Sequence, residues 1–298
     1  MKRIALCGTP EFACKFFDAV DNSRDYVVEF VITQCAKKKD RGYALAESAV
    51  ATWARERKIE CFEIDKIQGG QSYDKQDLEV KLVQVDCVLL FAFGKIIPLN
   101  WLQLPRMGWL NIHPSKLPLQ RGPSPIQYSL LNGLKESALT LMLMDESMDT
   151  GNIIAQLPFD IREHHNATTL MREICVFGPA WVLENMKKYL DGKIFPTAQQ
   201  GQATYSKLIT KEDYVVQATD TMNSVRAKIK AFGYVYFSQL ELKCFACEFI
   251  SCCEAEGDGV FKIDVADGAI VPIYVQKDGK KIMHIRNYIN GLRGQKNK

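Results

Sequence analysis

The sequence predicts an α/β protein with a mainly parallel, open, Rossmann-like sheet followed by a small C-terminal β-barrel. In the first half, apolar strand-like runs alternate with helical patterns, which is typical of a parallel sheet covered by helices. In the last third, short strand-like runs are separated by Asp-Gly turns, which favours a small barrel or sandwich. A chain of 298 residues suits one large and one small domain.

The elements of the first half follow from hydrophobic periodicity. The turn Gly8-Thr9-Pro10 separates the first strand from the first helix, and the run 85–93 is almost continuously apolar, as in a central strand covered on both faces. In chain order, we predict a strand at 4–7, a helix at 12–20, a strand at 27–33, a helix at 49–57, and strands at 85–93, 109–113 and 139–144.

A change in composition marks the domain boundary. A helical pattern runs from Ala167 to about residue 190, and residues 192–202 are rich in Gly, Pro, Gln and Thr. One more helix, at about 219–232, precedes the short strands. We therefore assign three parts, which are an α/β domain at 1–190, a linker at 191–208 and a β-barrel-like domain at 209–298.

Composition and hydropathy argue against membrane and secreted classes. The chain is 47% hydrophobic and 24% charged, as in ordinary globular proteins. No apolar run approaches the roughly 20 residues that a membrane helix needs. The first residues read as a strand, with no secretory or transit pattern. We expect a cytoplasmic protein without membrane contact.

The ten cysteines do not indicate a disulfide framework, because no secretory signal accompanies them. One cluster raises the possibility of zinc: Cys244, Cys247, Cys252 and Cys253. Residues 240–250 look like a strand, on which positions i and i+3 point to opposite faces. We therefore expect buried free thiols and no metal.

Basic residues are concentrated towards the C-terminus. Residues 1–199 carry 24 basic and 24 acidic side chains, whereas 200–298 carry 14 and 11. The stretch 277–298 holds seven Lys or Arg against one Asp. A basic surface suits a polyanionic partner, although basic chain ends are often merely solvated.

The most informative stretch begins at Asn111. Asn111 and His113 are two residues apart on a predicted strand, so their side chains share a face. Pro114 ends the strand, which places an amide and an imidazole at the carboxyl edge of the sheet, where ligands of open α/β folds bind. We expect the strand 139–144 to deliver Asp149 to the same edge. Because a lone histidine is more often structural, the residues alone indicate only a possible site.

These residues also carry a resemblance. Asn-x-His, Ser-x-Leu-Pro-x-x-Arg-Gly and Met-Asp-x-x-x-Asp-Thr-Gly together resemble the signature of the folate-dependent formyltransferases. Landmarks along nearly the whole chain, such as Gly8-Thr9-Pro10 and Ala203-Thr204-Tyr205, are similar to the branch that acts on methionyl-tRNA. The resemblance implies formyl transfer from 10-formyltetrahydrofolate to the amine of methionyl-tRNA for translation initiation. It also implies a monomer without a metal.

The resemblance implies that Asn111, His113 and Asp149 form a catalytic trio. An amine that attacks a formyl carbon creates a negative oxygen, which needs a hydrogen-bond donor. Asn111 can donate through its amide, and His113 can both donate and carry a proton between the two nitrogens. Asp149 would orient the imidazole.

The resemblance also assigns binding segments. Two of them are expected to contact folate: Phe91, Ala92, Phe93 and Gly94, and Ser115, Lys116, Leu117 and Pro118. A core strand that ends in glycine explains the first segment equally well, and Lys116 stands where the family usually has leucine. Arg121 could bind an anion or brace its loop, and we favour bracing. The basic loop is expected to contact tRNA through Lys37, Lys38, Lys39 and Arg41.

Three other functions compete with this interpretation. A sugar-nucleotide formyltransferase shares the trio and a small second domain, but the basic loop and basic C-terminus favour tRNA. A glycinamide ribonucleotide enzyme would stop near residue 200 and carry a phosphate-binding loop in place of Gly8-Thr9-Pro10. A catalytically silent RNA-binding protein would not need the intact trio.

Overall fold

The computed structural model describes residues 1–38, 45–67, 73–251 and 261–296. Their contacts group into two compact units. Unit 1 comprises Met1–Pro125, Glu136–Asp160 and Met171–Lys207, and unit 2 comprises Ile126–Lys135, Ile161–Leu170 and Leu208–Lys298. Within the described ranges, none of the helices has the length and apolar character needed to cross a membrane.

In the part of the chain that the structure describes, nine strands precede residue 161. In chain order they are β1 (Lys2–Gly8), β2 (Tyr26–Gln34), β3 (Lys37–Lys38), β4 (Leu45–Ala46), β5 (Glu60–Ile64), β6 (Cys87–Phe91), β7 (Trp109–His113), β8 (Glu136–Leu143) and β9 (Ile153–Asp160). Seven of them form one sheet in the order β5-β2-β1-β6-β7-β8-β9, and β3 pairs with β4. The first five strands in this order are parallel, and β8 runs antiparallel to both of its neighbours, β7 and β9. The predicted mainly parallel open sheet is confirmed.

Among the described residues, six α-helices are interspersed with these strands. They are α1 (Glu11–Asp21), α2 (Ala49–Glu56), α3 (Lys75–Gln84), α4 (Leu99–Leu102), α5 (Pro125–Leu131) and α6 (Ala167–Leu190). Ser48 caps α2 by accepting a hydrogen bond from the backbone N–H of Ala51, and Asp74 caps α3 in the same way. The predicted helices at 12–20 and 49–57 correspond to α1 and α2.

Strand β6 shows how the core is built on both faces of the sheet. Its five residues are all buried, and alternate side chains point to opposite faces. Val88 and Leu90 join one apolar cluster with Trp101 and Trp109. On the other face, the Phe91 ring meets the Phe16 ring of α1 edge to face, with centroids 4.8 Å apart. A buried strand of this kind reads as a continuous apolar run, as predicted.

The strand order reverses at β1. From β1 the chain passes to β2 on one side and later to β6 on the other, so the carboxyl ends of β1 and β6 meet where Gly8 pairs with Phe91. A Cβ at Gly8 would lie 2.7 Å from the Phe91 carbonyl oxygen, so only glycine fits there. Ligands of open α/β sheets bind outside the carboxyl ends at such a point.

The direction of β8 corrects one expectation. We expected the strand 139–144 to end at the same edge as His113, but β8 runs antiparallel to β7, with His113 opposite Thr140 and Leu110 opposite Leu143. Strand β8 therefore ends beside the beginning of β7. The expectation was wrong because an apolar run has the same hydrophobic pattern in either direction.

Unit 2 contains the small sheet predicted for the C-terminal part. The α-helices and strands described beyond residue 208 are α7 (Met222–Phe232), β10 (Val235–Phe237), β11 (Leu242–Ser251), β12 (Ile263–Val265), β13 (Gly268–Lys277), β14 (Met283–His284) and α8 (Ile285–Lys296). The strands are antiparallel in the order β10-β11-β13-β12, and β14 also pairs with β13. Thr221 caps α7, which ends at Gly233 with φ 83°. The expected small, barrel-like β domain is confirmed.

A bulge in β11 corrects a second expectation. The pairing of β11 with β13 shifts register between Cys244 and Ala246 and again between Ala246 and Cys247. An extra residue in a strand reverses the alternation of side chains beyond it. Cys244 and Cys247 therefore pack into the same apolar cluster of unit 2, and the expectation that they face opposite ways was wrong. Cys252 and Cys253 lie outside the described residues.

Candidate active site

Asn111 and His113 lie in β7 at the carboxyl edge of the parallel strands. Asn111 pairs with Leu90 of β6 on one side and Met142 of β8 on the other. Both side chains are buried, with exposed fractions of 8% for Asn111 and 4% for His113. Because the two positions share a face of β7, their polar groups lie together in a site that water reaches only partly.

Asp149 reaches these two residues from the loop that joins β8 to β9. The loop starts beside Trp109, whose carbonyl accepts a hydrogen bond from Met144, and it doubles back across the sheet. The Asn111 amide donates to Asp149 Oδ1 at 3.2 Å, and the Gly122 N–H donates to Asp149 Oδ2 at 2.8 Å. His113 Nδ1 lies 3.6 Å from Asp149 Oδ1. The structure thus brings the predicted trio together, although the loop that carries Asp149 starts at the opposite end of β7 from the one predicted.

The imidazole of His113 is oriented by a backbone carbonyl. His113 Nε2 lies 3.0 Å from the Gln120 carbonyl oxygen, which can only accept, so Nε2 carries a proton in this arrangement. Nδ1 then faces Asp149 at a distance too long for a hydrogen bond. Hydrogen bonds in active sites are often long until substrates bind. Nδ1 is therefore the ring nitrogen positioned to take up and release a proton.

The turn at Gly151 depends on close approach of the backbone. Leu143 donates a hydrogen bond to the Asn152 carbonyl at 2.8 Å, which closes the base of the Asp149 loop. A Cβ at Gly151 would lie 1.9 Å from the Leu143 carbonyl oxygen. No side chain fits in that space, so the sequence Asp-Thr-Gly includes glycine for a steric reason.

A glutamine and an arginine brace the same loop. Gln199 Nε2 donates to the carbonyl oxygens of Asp149 and Gly151, each at 2.8 Å. Arg121 donates to Gln199 Oε1 at 2.7 and 3.1 Å, so the preference for bracing over anion binding agrees with its contacts. Sequence reasoning missed Gln199, which lies in the stretch assigned to a linker. No periodicity distinguishes it there, and only the tertiary contacts identify it.

Backbone strain is concentrated at these residues. Among the described residues, five other than glycine have positive φ. Three of them belong to this site: Ala92 (53°), Gln120 (57°) and Asp149 (54°). Such conformations cost of order 1–3 kcal/mol each and cluster at functional sites, where the surrounding structure enforces them.

The segment 115–118 is held by hydrogen bonds to the adjoining turn and to Gln156 of β9. Ser115 Oγ donates to the Leu119 carbonyl at 2.6 Å, and Gln156 donates to the Leu117 carbonyl at 2.9 Å. Ser115 and Leu117 are buried, whereas Pro118 is half-buried. The Ser115 hydroxyl thus stabilises the loop rather than facing a ligand.

Lys116, which stands where the family usually has leucine, forms an ion pair at the surface. Its ammonium lies 2.8 Å from Glu136 Oε1, and both side chains are well exposed. The hydrogen bond and the positive charge of Lys116 lower the pKa of the Glu136 carboxyl. An exposed pair of this kind contributes little to stability. The extra charge at position 116 is therefore partly neutralised by Glu136.

The segment 91–94 presents backbone rather than aromatic rings. Phe91 and Phe93 are 2% and 1% exposed, because their rings lie in the core. The Phe93 carbonyl accepts hydrogen bonds from Gln34 Nε2 and, at 3.2 Å, from Thr9 Oγ1. Ala92 and Gly94, with φ 53° and 75°, are left as the parts of the turn that a ligand can approach.

The basic loop is described only in part. Lys37 and Lys38 form β3, which pairs with β4, and nothing is described of their side chains. Lys39 and Arg41 lie outside the described residues. The tRNA contacts predicted for these four residues therefore stay predictions.

The described residues contain no group of three or more His, Cys, Asp or Glu side chains placed to hold a metal ion. A cavity of about 420 Å³ lies at the amino edge of the sheet, and Lys2, Tyr26, Asp86 and Arg106 contribute to its lining. That edge is opposite the one that carries Asn111 and His113. The cavity therefore has no part in the candidate active site.

Comparison with known proteins identifies the class. A family model described as formyl transferase matches residues 1–186. A crystallised sugar 3N-formyl transferase superposes with a TM-score of 0.63 over 94% of this chain and 99% of its own, at 19% identity, which shows a common fold. Because the family model spans more than half of the sequence, the chain belongs to the formyl transferase family, as the sequence motifs predicted.

Two relatives are similar to this chain over nearly its full length. A methionyl-tRNA formyltransferase from Kosmotoga olearia is 32% identical over 95% of this chain and 94% of its own length. The methionyl-tRNA formyltransferase from Caldanaerobacter subterraneus is 30% identical over 97% of this chain and 96% of its own length. The similarity thus extends through both the large and the small sheet. This chain therefore resembles methionyl-tRNA formyltransferases along nearly its whole length.

Proposed function

We propose that this chain transfers a formyl group from 10-formyltetrahydrofolate to the free amine of methionyl-tRNA, giving N-formylmethionyl-tRNA for translation initiation. The observation that carries the proposal is the convergence of Asn111, His113 and Asp149 at the carboxyl edge of the sheet. The full-length similarity to methionyl-tRNA formyltransferases supports the choice of amine. The proposal includes residues 1–190 as the catalytic domain and 209–298 as a tRNA-binding domain joined by 191–208.

The folate donor would supply the formyl carbon and the leaving nitrogen. The backbone of the 91–94 turn, with Ala92 half-buried and Gly94 exposed, suits close packing of a flat ring system. Leu90, immediately before this turn, pairs with Asn111, so a donor bound there would lie beside the trio. Segment 115–118 follows His113 directly and would form the second wall.

Asn111 is proposed to stabilise the negative charge that develops on the formyl oxygen. Its amide has two N–H donors, and one of them is engaged by Asp149 at 3.2 Å. The other N–H remains for the oxygen. Removing a donor of this type typically costs about 3–4 kcal/mol of transition-state stabilisation.

His113 is proposed to move the proton. As the new bond forms between the amine nitrogen and the formyl carbon, the bond to the folate nitrogen breaks, and one proton must pass from the first nitrogen to the second. His113 Nδ1 can accept that proton while Nε2 stays bonded to Gln120. The Asp149 carboxylate then stabilises the charged ring.

A formyl-transfer assay tests the function. With radiolabelled 10-formyltetrahydrofolate, we expect label on methionyl-tRNA and none on a 4-amino sugar nucleotide. Label on the sugar nucleotide alone would contradict the proposed acceptor, and no label on either acceptor would favour a silent binding protein. The proposal also expects a cytoplasmic monomer, so a solution mass equal to two chains in light scattering would contradict that part.

The basic loop is proposed to contact the tRNA near its 3′ end. Strand β2 ends at Gln34, whose side chain contacts Phe93 in the proposed folate turn, and Lys37 follows three residues later. The loop therefore leaves the sheet at the edge that carries the trio. A 3′ aminoacyl end must enter there to reach the formyl group.

Replacing Lys37, Lys38 and Lys39 together by glutamine is expected to weaken methionyl-tRNA binding and flatten its salt dependence. Each lost phosphate contact lowers the slope of log K against log salt by about 0.7–0.9. Affinity measured at several salt concentrations checks this, and folate binding should not change. A matched control replaces Lys187, Lys188 and Lys193 by glutamine, because Lys187 contacts Asp25 at the opposite edge. An unchanged affinity and salt slope in the first variant would show that the loop does not contribute to tRNA binding.

A further inference from the structure

The bulge in β11 places two cysteine sulfurs together on the inner face of the small sheet. Cys244 is fully buried and Cys247 is half-buried, and both belong to the same apolar cluster. The Cys244 thiol donates to the Ala246 carbonyl oxygen at 3.3 Å, and Cys247 is the largest influence on its pKa. A regular strand would keep positions i and i+3 apart, so the bulge is what creates the pair.

The surroundings of the two thiols differ. A hydrogen bond from Cys244 lowers the pKa of Cys247, and the positive charge of Arg226 on α7 adds to this against the opposing effect of burial. The Arg226 guanidinium is held over the Phe249 ring, 4.6 Å from its centroid. The same hydrogen bond, together with burial, raises the pKa of Cys244. Cys247 is thus the thiol that ionises first, and Cys244 is its protonated neighbour.

Two other thiols of the chain have a raised pKa, in contrast to Cys247. Burial, with the charge of Glu63, raises the pKa of Cys61 to about 12. Burial and Asp18 raise the pKa of Cys14 to about 11. The thiolate is the reactive form, so these cysteines behave as small apolar residues. A half-buried cysteine beside a cation and a second thiol is instead the arrangement found in reversible redox pairs.

We propose that Cys244 and Cys247 form a peroxide-sensitive dithiol in the C-terminal unit, a modification site separate from formyl transfer. The Cys247 thiolate attacks one oxygen of hydrogen peroxide, the O–O bond breaks, and a sulfenic acid forms with release of water after protonation. The Cys244 sulfur then attacks the Cys247 sulfur, giving a disulfide and a second water. Two thiols are oxidised, and one peroxide is reduced to two waters.

The test uses the full-length protein with Cys252→Ser and Cys253→Ser, so that only one pair remains in its tryptic peptide. The reduced protein is treated with equimolar hydrogen peroxide, alkylated, digested and examined by mass spectrometry without reductant. We expect the peptide that begins at Cys244 to be two hydrogens lighter and unalkylated, and to regain both alkyl groups after dithiothreitol. Cys61 serves as an internal control and should react at least about tenfold more slowly, since each unit of pKa changes the thiolate fraction about tenfold.

Single variants separate the two roles. With Cys244→Ser, the Cys247 sulfenic acid should accumulate and be trapped by dimedone, and no disulfide should form. With Cys247→Ser, Cys244 should stay reduced. If the two thiols are alkylated equally before and after peroxide, the proposal is overturned, and this readout does not depend on whether the Cys244→Ser and Cys247→Ser variants fold.

Metal analysis gives an independent check. The proposal and the sequence both predict no stoichiometric zinc in the wild-type protein as purified. One equivalent of zinc per chain that is lost with Cys247→Ser would assign the pair to a metal site and overturn the redox assignment.

Discussion

Replacing His113 by alanine is expected to lower kcat for formyl transfer by at least about a hundredfold, the usual contribution of general acid–base catalysis. His113 is the proposed proton carrier of the trio. Its Nε2 is hydrogen-bonded to the Gln120 carbonyl, and its Nδ1 faces Asp149. In the variant the proton must still leave the attacking amine, but the imidazole that takes it up is absent. Steady-state kinetics with methionyl-tRNA measure the effect.

The separate changes in kcat and in KM distinguish a catalytic role of His113 from a structural one. If His113 acts only in the transition state, kcat and kcat/KM fall together, while KM for the folate donor stays close to that of the wild type. Circular dichroism establishes that the variant is folded, which matters because His113 is buried. A folded variant with near-normal turnover would contradict the proposed role of His113 in proton transfer.

Gly151→Ala is expected to cause the second large loss of activity. The new Cβ would lie 1.9 Å from the Leu143 carbonyl oxygen, and a backbone atom cannot move aside as a flexible side chain can. The base of the loop must open, which displaces Asp149 from Asn111 and Gly122. Because a misplacement of about 1 Å can cost about a hundredfold in rate, we expect kcat/KM to fall by roughly that factor.

The matched control is Gly291→Ala in α8, where an added Cβ meets no heavy atom within 4 Å. It should leave kcat/KM unchanged and, if anything, stabilise the helix by up to about 1 kcal/mol. Comparing the two variants by kinetics and by thermal unfolding distinguishes loss of the loop from general unfolding. Wild-type kcat/KM in Gly151→Ala would show that the observed closure of the loop is not needed for catalysis.

Much of the fold could be predicted because hydrophobic periodicity is local. The strand 109–113 and the helix 167–190 were predicted with the bounds that β7 and α6 have. Pro114 marked the end of β7, which placed Asn111 and His113 at the correct edge. Buried parallel strands are recognisable since both of their faces are apolar.

The remaining features depend on contacts between distant residues, which a single sequence does not encode locally. The antiparallel direction of β8 changes how Asp149 reaches the site without changing any hydrophobic pattern. Gln199 braces the Asp149 loop from 48 to 50 positions away along the chain. The bulge at Cys244 to Cys247 is visible only through the pairing of β11 with β13. Each of these needs the partner strand or loop to be known.

The strand order of the large sheet also bears on how the protein avoids aggregation. An open sheet has two edges, and an exposed edge invites a strand from another molecule. One edge, β9, contains Pro158, which offers no N–H, and among the described residues its outer side pairs only where Ile153 meets Thr197. The other edge, β5, is five residues long and carries Glu60 and Glu63. Short length, charge and proline at the edges are the means by which natural sheets prevent such pairing, so this sheet is protected at both ends.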